Sequence, residues 1–196
     1  MTEVILASTS ASRQALLQGA GVAFTARAAG VDEAAAKAAL LGEGLGPRDV
    51  AEALAELKAI RVRGGEALVI GADQTLDLDG ELIDKAENLV EARERLLRLR
   101  GRPHKLHAAV VVAHGGQPIW RDLQTATLWM RPFSDAFLDD YLAREGEDVL
   151  SSVGCYRLED IGVHLFSRIE GDYFTILGLP MLGLLDLLRR YEVLTL

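Results

Sequence analysis

The chain has little of what marks exported, disulfide-bonded or membrane-spanning proteins. It holds one cysteine among 196 residues, Cys155, so it cannot form an internal disulfide, which fits a reducing compartment. We expect that thiol to be buried packing, because no histidine lies near it in sequence to activate it. No apolar run free of charge reaches the roughly 18 residues that cross a bilayer, and no export signal precedes the first strand. We therefore expect a cytoplasmic protein with no membrane role.

Positive charge is also scarce. The sequence has 29 acidic and 21 basic residues, a formal net charge of -8. A duplex nucleic acid or a membrane surface needs a broad positive footprint, so we expect neither as a partner. The arginines between residues 93 and 102 alternate with glutamates and indicate the solvated side of a helix. A small anion remains possible, because it needs only a few converging cations.

Strand and helix patterns alternate along the chain, which is typical of an α/β protein with a single domain over residues 1–196. The predicted strands lie near residues 3–7, 22–26, 67–73, 107–113 and 125–130. The predicted helices lie near residues 11–20, 32–42, 48–63, 88–100, 134–144 and 180–190. Gly115-Gly116 suggests a hairpin, and residues 151–176 predict loops or short strands.

The first strand runs directly into small hydroxyl residues and an arginine at a predicted helix start. Unpaired N–H groups and the helix dipole favour an anion there, and Ser8, Ser10 and Arg13 could complete a phosphate cradle. A plain helix cap supplied by Ser10 or Ser12 explains the same segment equally well. The sequence leaves both interpretations open at this point.

Asp73 follows the hydrophobic stretch 67–72, and we expect that strand to end on its carboxylate, where α/β sheets place reacting groups. Such a carboxylate can bind Mg²⁺ or deprotonate a water, although a turn or cap aspartate gives the same pattern. Asp79-Gly80 predicts a turn that folds the chain back, so that Lys85 faces the same space as Asp73. Lysines near phosphates neutralise charge on the substrate and on the leaving group.

Lys58 and Glu33 are weaker candidates on local grounds. Lys58 could also neutralise phosphates, although a lone helical lysine is usually solvated. Glu33 is a second carboxylate for a cation, or an acid that complements a helix dipole. His104 and His107 lie three apart in a strand-like stretch and would face opposite sides, which argues against a metal pair. The Walker, dinucleotide-binding and nucleophile-elbow motifs are absent from the sequence.

Six short motifs, in this order and spacing, resemble the Maf family over almost the whole chain. They are Ile5-Leu6-Ala7-Ser8-Thr9-Ser10-x-x-Arg13, Val31-Asp32-Glu33, Leu57-Lys58-Ala59, Gly71-Ala72-Asp73-Gln74, Asp84-Lys85 and Leu177-Gly178-Leu179-Pro180. The resemblance implies an elongated mixed sheet flanked by helices, with a central cleft between two lobes, similar in shape to the inosine triphosphate pyrophosphatases. It also implies hydrolysis of nucleoside triphosphates to a monophosphate and pyrophosphate, with Mg²⁺ or Mn²⁺.

The resemblance also assigns roles to individual residues. It implies that Asp73 is the base that activates water and that Glu33, with Asp73, serves the metal. The residues that it implies for phosphate binding are Ser8, Ser10, Arg13, Lys58 and Lys85. These roles agree with the charge requirement, since a triphosphate carries about four negative charges that must be offset.

The chain departs from the usual family pattern where substrate choice is expected. Ser12 replaces an arginine, Gln74 replaces a threonine, and Ala86 replaces a proline. Gln74 and Glu159 are similar to the 7-methyl-GTP branch rather than the dTTP/UTP branch, because a carboxylate can accept hydrogen bonds from a guanine edge. At the position of Ser12, that branch usually has an aromatic residue instead. Ser12, which departs from the branch, and Gln74 and Glu159, which agree with it, are therefore the predicted specificity positions. Tyr156 and Arg157 are alternative contacts to the base.

Two classes of function follow from these residues. The first is a pyrophosphatase that removes modified or non-canonical nucleotides. The second is a nucleotide-binding regulator of cell division or septum formation that does not require turnover. Because Asp73 is retained beside the lysines, catalysis is the favoured interpretation. The resemblance also suggests a homodimer.

Overall fold

The structure is a computed structural model and describes residues 2–195, which form a mixed sheet flanked by helices. Within that range the sheet has seven strands in the order β2-β1-β3-β5-β6-β7, with β4 paired to β3. The strands are β1 Val4–Leu6, β2 Thr25–Ala26, β3 Leu68–Leu78, β4 Glu81–Ile83, β5 Pro103–His114, β6 Gln117–Met130 and β7 Phe166–Glu170. The helices are α1 Ala11–Gly19, α2 Glu33–Gly42, α3 Pro47–Arg61, α4 Leu89–Leu99, α5 Asp135–Glu145, α6 Tyr173–Ile176 and α7 Met181–Arg190, and Gly146–Ser151 and Ile161–Leu165 are 3-10 helices. This architecture confirms the predicted α/β fold.

The prediction that a strand ends at Asp73 is wrong. β3 continues to Leu78, because Leu76 and Leu78 are buried and both edges of the extension pair, with β4 and with β5. β1 pairs in parallel with β3 only as far as Leu6 opposite Ile70. Asp73 therefore lies in mid-strand, just beyond the carboxyl end of the neighbouring strand β1.

The two faces of the sheet are buried against different helices. On one face, Val110 and Val112 of β5 share a core with residues of α1 and α7. On the other, Ala109 and Val111 pack with small residues of α3. A third core holds residues of α4 and α5 with the distal ends of the strands. Burial on both faces explains why β5 is an almost continuous apolar run.

Small residues let α3 lie close against β3. A Cβ atom added at Gly71 would lie 2.2 Å from the Ala55 carbonyl oxygen and 2.4 Å from the Ala59 amide nitrogen. Ala51, Ala55 and Ala59 are themselves fully buried at this contact. The close approach brings Lys58, on the same helix, beside the strand that carries Asp73.

Both predicted tight turns are confirmed, with strand limits that differ. Asp79 and Gly80 have φ angles of 56° and 90° and join β3 to β4, so the chain returns toward the middle of β3. Gly115 and Gly116 join β5 to β6. β6 begins at Gln117 rather than near 125. The prediction missed residues 117–124 because all of them are partly or fully exposed and form no apolar run.

The remaining predictions have mixed outcomes. Cys155 is buried, as predicted, and burial raises the pKa of its thiol. His104 bonds to Tyr156, whereas His107 lies between Thr125 and Asp77, so the two histidines serve different contacts. Between residues 2 and 195 no helix is both long and apolar enough to cross a membrane. The division into two lobes stays a prediction.

Candidate functional site

A cavity of about 560 Å³ opens beyond the carboxyl end of β1. Its walls come from the start of α1, the start of α2, α3, the middle of β3, the segment after β4 and the segment 151–159. Every site residue predicted from the sequence lines it. They are Ser8, Ser10, Ser12, Arg13, Glu33, Lys58, Asp73, Gln74, Lys85 and Glu159. Residues from distant parts of the chain therefore meet in one space.

The turn between β1 and α1 is held by its own hydroxyl groups. Ser10 caps α1 by accepting from the Arg13 amide at 3.5 Å, which confirms the cap, and its own amide donates to Ser8 Oγ at 3.2 Å. The Arg13 guanidinium donates to Ser8 Oγ at 3.3 Å and to the Gly178 carbonyl at 2.9 Å. Burial lowers the pKa of Arg13, against the charges of Asp73 and Glu33. The arginine is thus fixed in place and keeps further N–H groups for a ligand.

Lys58 lies between two carboxylates. Its Nζ is 2.6 Å from Asp73 Oδ1 and 2.9 Å from Glu33 Oε1. The side chains of Lys58 and Asp73 are each 6% exposed, so this lysine is not the solvated helical lysine that local sequence suggests. Burial would raise the pKa of Glu33, but the hydrogen bond and charge of Lys58, helped by Lys37 and Arg13, lower it. This arrangement keeps Glu33 ionised.

One oxygen of Asp73 has no such partner. Oδ2 is buried and accepts no hydrogen bond from any residue between 2 and 195. A buried acceptor without a partner is unusual in a folded protein and calls for a ligand, an ion or a water. In the cavity wall, Asp73 therefore has one oxygen held by Lys58 and one available for chemistry.

Lys85 and Lys37 complete the cationic part of the cavity. Lys85 lies exposed at the rim, where partial burial and the charges of Arg13, Lys58 and Lys37 lower its pKa, against the charge of Glu33. Lys37 forms an ion pair with Asp84, the residue before Lys85. Lys37 was not among the site residues predicted from the sequence. Its spacing of four from Glu33, on the same face of α2, is the signal that could have found it.

Gln74 connects β3 to the segment after β7. Its Nε2 donates to the carbonyls of Thr175 and Ile176, each at 2.9 Å. Two residues further on, the Gly178 carbonyl accepts from Arg13, and Gly178 has a φ of 91°. The amide nitrogen of Gln74 is therefore committed to the protein backbone. Ser12 is partly buried and also lines the cavity.

The end of the cavity formed by segment 151–159 carries Glu159 and Arg157. Glu159 lies 3.9 Å from Arg157, which also contacts Asp148 at 3.1 Å, Asp160 at 3.5 Å and Glu145 at 3.9 Å. One guanidinium is thus shared by four carboxylates, of which Glu159 lines the cavity and the other three lie outside its lining. Burial and three of these acids raise the pKa of Glu145, although Arg157 opposes them.

Tyr156 forms an aromatic part of the same end. Its hydroxyl lies 2.7 Å from His104 Nε2, and its ring packs edge-on against Phe166. Burial lowers the pKa of His104 to about 4, so this histidine is neutral at physiological pH. The uncharged, buried contact between His104 and Tyr156 therefore holds this wall of the cavity.

The fold and the cavity define an α/β protein with a cleft in which Arg13 and three lysines lie close to a buried carboxylate. The family described as Maf-like protein matches residues 3–191. The chain belongs to the Maf family, which confirms the resemblance seen in its motifs.

Curated relatives match along their whole length. A Caulobacter vibrioides protein named nucleoside triphosphate pyrophosphatase is 63% identical over 196 residues, 100% of this chain and 98% of the relative. A Rhizobium meliloti protein named 7-methyl-GTP pyrophosphatase is 52% identical over 189 residues, 95% of each chain. A Brucella abortus protein with that second name is 45% identical over 190 residues, 96% of each chain.

Proposed function

We propose that this protein is a nucleoside triphosphate pyrophosphatase that hydrolyses the bond between the α and β phosphates. The observation that carries the proposal is the cationic end of the cavity, where Arg13, Lys58 and Lys85 surround a buried Asp73 with an unpartnered Oδ2. The names of the relatives support the same reaction.

The triphosphate binds at the start of α1. The helix N-terminus and the hydroxyls of Ser8 and Ser10 offer hydrogen-bond donors to phosphate oxygens. Arg13 and Lys85 add positive charge, and Arg13 is already oriented by Ser8 and Gly178. Because the Ser8–Ser10 turn and Arg13 are held by hydrogen bonds before substrate enters, they stabilise developing charge with little reorganisation.

Asp73 acts as the general base in this proposal. A water attacks the α-phosphorus and transfers a proton to Asp73 Oδ2 as the new P–O bond forms. The bond from that phosphorus to the bridging oxygen of the β-phosphate breaks, and pyrophosphate leaves with the electron pair. Lys58 holds the other carboxylate oxygen at 2.6 Å, which orients Oδ2 toward the reacting water.

The carboxylates also fit a divalent cation, Mg²⁺ or Mn²⁺. Residues 2–195 contain no group of three or more His, Cys, Asp or Glu side chains placed to bind one metal ion. Mg²⁺ in phosphate sites usually takes one or two carboxylates together with substrate oxygens, and Asp73 and Glu33 provide that donor set with one Asp73 oxygen unpaired. When bound, the cation would supply charge neutralisation for the phosphates.

The carboxylate of Glu159 in the cavity wall favours a base that is cationic or rich in donors. We propose that Glu159 accepts hydrogen bonds from the N1–H and 2-amino groups of a guanine, and that 7-methylguanine, which carries positive charge, is preferred. Gln74 contributes to this selectivity indirectly. Its amide nitrogen donates to the carbonyls of Thr175 and Ile176 and so holds that part of the cavity wall in place. The small side chain of Ser12 leaves room beside the base and offers no surface on which the base could stack. The names of two relatives support this substrate branch.

The test is a product assay with Mg²⁺ and a panel of 7-methyl-GTP, GTP, dTTP, UTP and CTP. We expect equal amounts of monophosphate and pyrophosphate, fastest from 7-methyl-GTP, and a loss of about 10²–10⁴-fold in kcat for Asp73→Asn. Glu159→Gln should still hydrolyse both nucleotides, but its ratio of kcat/KM for 7-methyl-GTP to kcat/KM for GTP should be smaller than that of the parent protein. Binding of nucleotides without any turnover would contradict the proposal and favour the regulator.

A further inference from the structure

We infer that Lys37 is a further phosphate-binding residue, whose ammonium group exchanges Asp84 for a phosphate of the bound nucleotide. The inference rests on the proposed function and extends its binding site to α2. None of the roles assigned above includes Lys37.

The position of Lys37 is the first support. α2 begins at the cavity, and Glu33 and Lys37 lie one turn apart on the face that meets it. Glu33 reaches Lys58, while Lys37 reaches Asp84. The Lys37 side chain is only 18% exposed, although it belongs to a helix in which every residue keeps some exposed surface. The side chain is therefore directed into the cavity rather than into solvent.

The charge balance of the cavity is the second support. Lys58 is already shared by Asp73 and Glu33, so little of its charge remains for a substrate. Ser12 offers a hydroxyl and no charge. A triphosphate brings about four negative charges. Arg13, Lys58, Lys85 and the proposed divalent cation together carry about five positive charges, of which Asp73 and Glu33 offset two, so about one negative charge of the substrate is left uncompensated without Lys37. Lys37 is the additional lysine that lines this end of the cavity.

The present partner of Lys37 is easily exchanged. The Asp84 side chain is 58% exposed, and ion pairs with a solvated carboxylate contribute little to stability. A phosphate held inside the cavity is shielded from water and makes a stronger charge-assisted contact. Asp84 can return to solvent at the rim without leaving a buried charge behind.

The test compares Lys37→Met with Lys37→Arg, Asp84→Asn and the exposed control Lys105→Met. Each variant is assayed for KM and kcat with 7-methyl-GTP, and for the Kd of α,β-methylene GTP, which cannot be cleaved at the α–β bond. We expect Lys37→Met to raise KM and Kd roughly 10- to 100-fold with kcat changed little, and Lys37→Arg to restore most of the loss. Asp84→Asn should leave both constants unchanged or lower, and Lys105→Met should match the parent protein.

Two results would overturn the inference. The first is unchanged affinity in Lys37→Met. The second is an equal loss in Lys37→Met and Asp84→Asn, which would show that the ion pair only supports the fold. A parent protein that binds the analogue but cleaves no nucleotide would instead contradict the proposed reaction. In that case, weaker binding by Lys37→Met alone would still support its role.

Discussion

At the scale of single residues, the site depends on how buried charges are partnered. Asp73, Lys58 and Glu33 form one linked cluster, and one oxygen of Asp73 stays unpaired among residues 2–195. The sequence predicted these residue types through their motifs. It could not predict that Lys58 is buried, because local helical spacing does not reveal a partner 15 residues away. Lys37 was not predicted because a single lysine in an alanine-rich helix resembles a solvated one, and its only local signal is the spacing of four from Glu33.

His104 provides a test of the buried wall beside the cavity. Its pKa is about 4 in the folded protein and near 6.5 when unfolded, so the unfolded state binds more protons between these values. The free energy of unfolding should therefore fall by up to about 3 kcal/mol as pH drops from 6.5 to 4. Urea denaturation across this pH range should show that the unfolding free energy of His104→Gln depends less steeply on pH than that of the parent protein. Equal slopes in both proteins would contradict the assignment.

At the scale of elements, prediction succeeded where local patterns decide the structure. The helices α1, α3, α4, α5 and α7 lie within a few residues of their predicted limits, because their apolar spacing and end signals are local. The segment 151–159 was predicted as a loop or short strand, but its conformation could not be predicted, since distant groups hold it. Tyr141 donates to the Cys155 carbonyl and Arg95 to the Val153 carbonyl. Such contacts appear only once the chain is folded.

Gly71 tests how packing of α3 supports the site. Gly71→Ala places a methyl group against the Ala55 carbonyl and the Ala59 amide, so α3 must move away from β3. We expect a loss of about 1–3 kcal/mol in unfolding free energy, together with a lower kcat as Lys58 shifts from Asp73. Thermal unfolding and steady-state kinetics would measure both effects. Gly19→Ala, where an added Cβ meets no atom within 4 Å, is a control for glycine loss, and unchanged kcat in Gly71→Ala would contradict the link.

At the scale of the whole molecule, charge is separated rather than uniform. The net charge is -8, yet one end of the cavity is lined by an arginine and three lysines, and the other end carries Glu159 beside Arg157. Composition correctly allowed a small anion, but only the fold shows where its charge would lie. The motifs lie on separate segments of the chain, and the order of strands in the sheet brings those segments together. The homodimer and the cytoplasmic location stay predictions.

Hydrolysis of 7-methyl-GTP in ¹⁸O-labelled water distinguishes the possible sites of attack. If water activated by Asp73 attacks the α-phosphorus, mass spectrometry will find one labelled oxygen in the monophosphate and none in the pyrophosphate. The Asp73→Asn variant should form the same labelled product about 10²–10⁴ times more slowly. Label in the pyrophosphate, or release of labelled orthophosphate with a nucleoside diphosphate, would contradict attack at the α-phosphorus and the role given to Asp73.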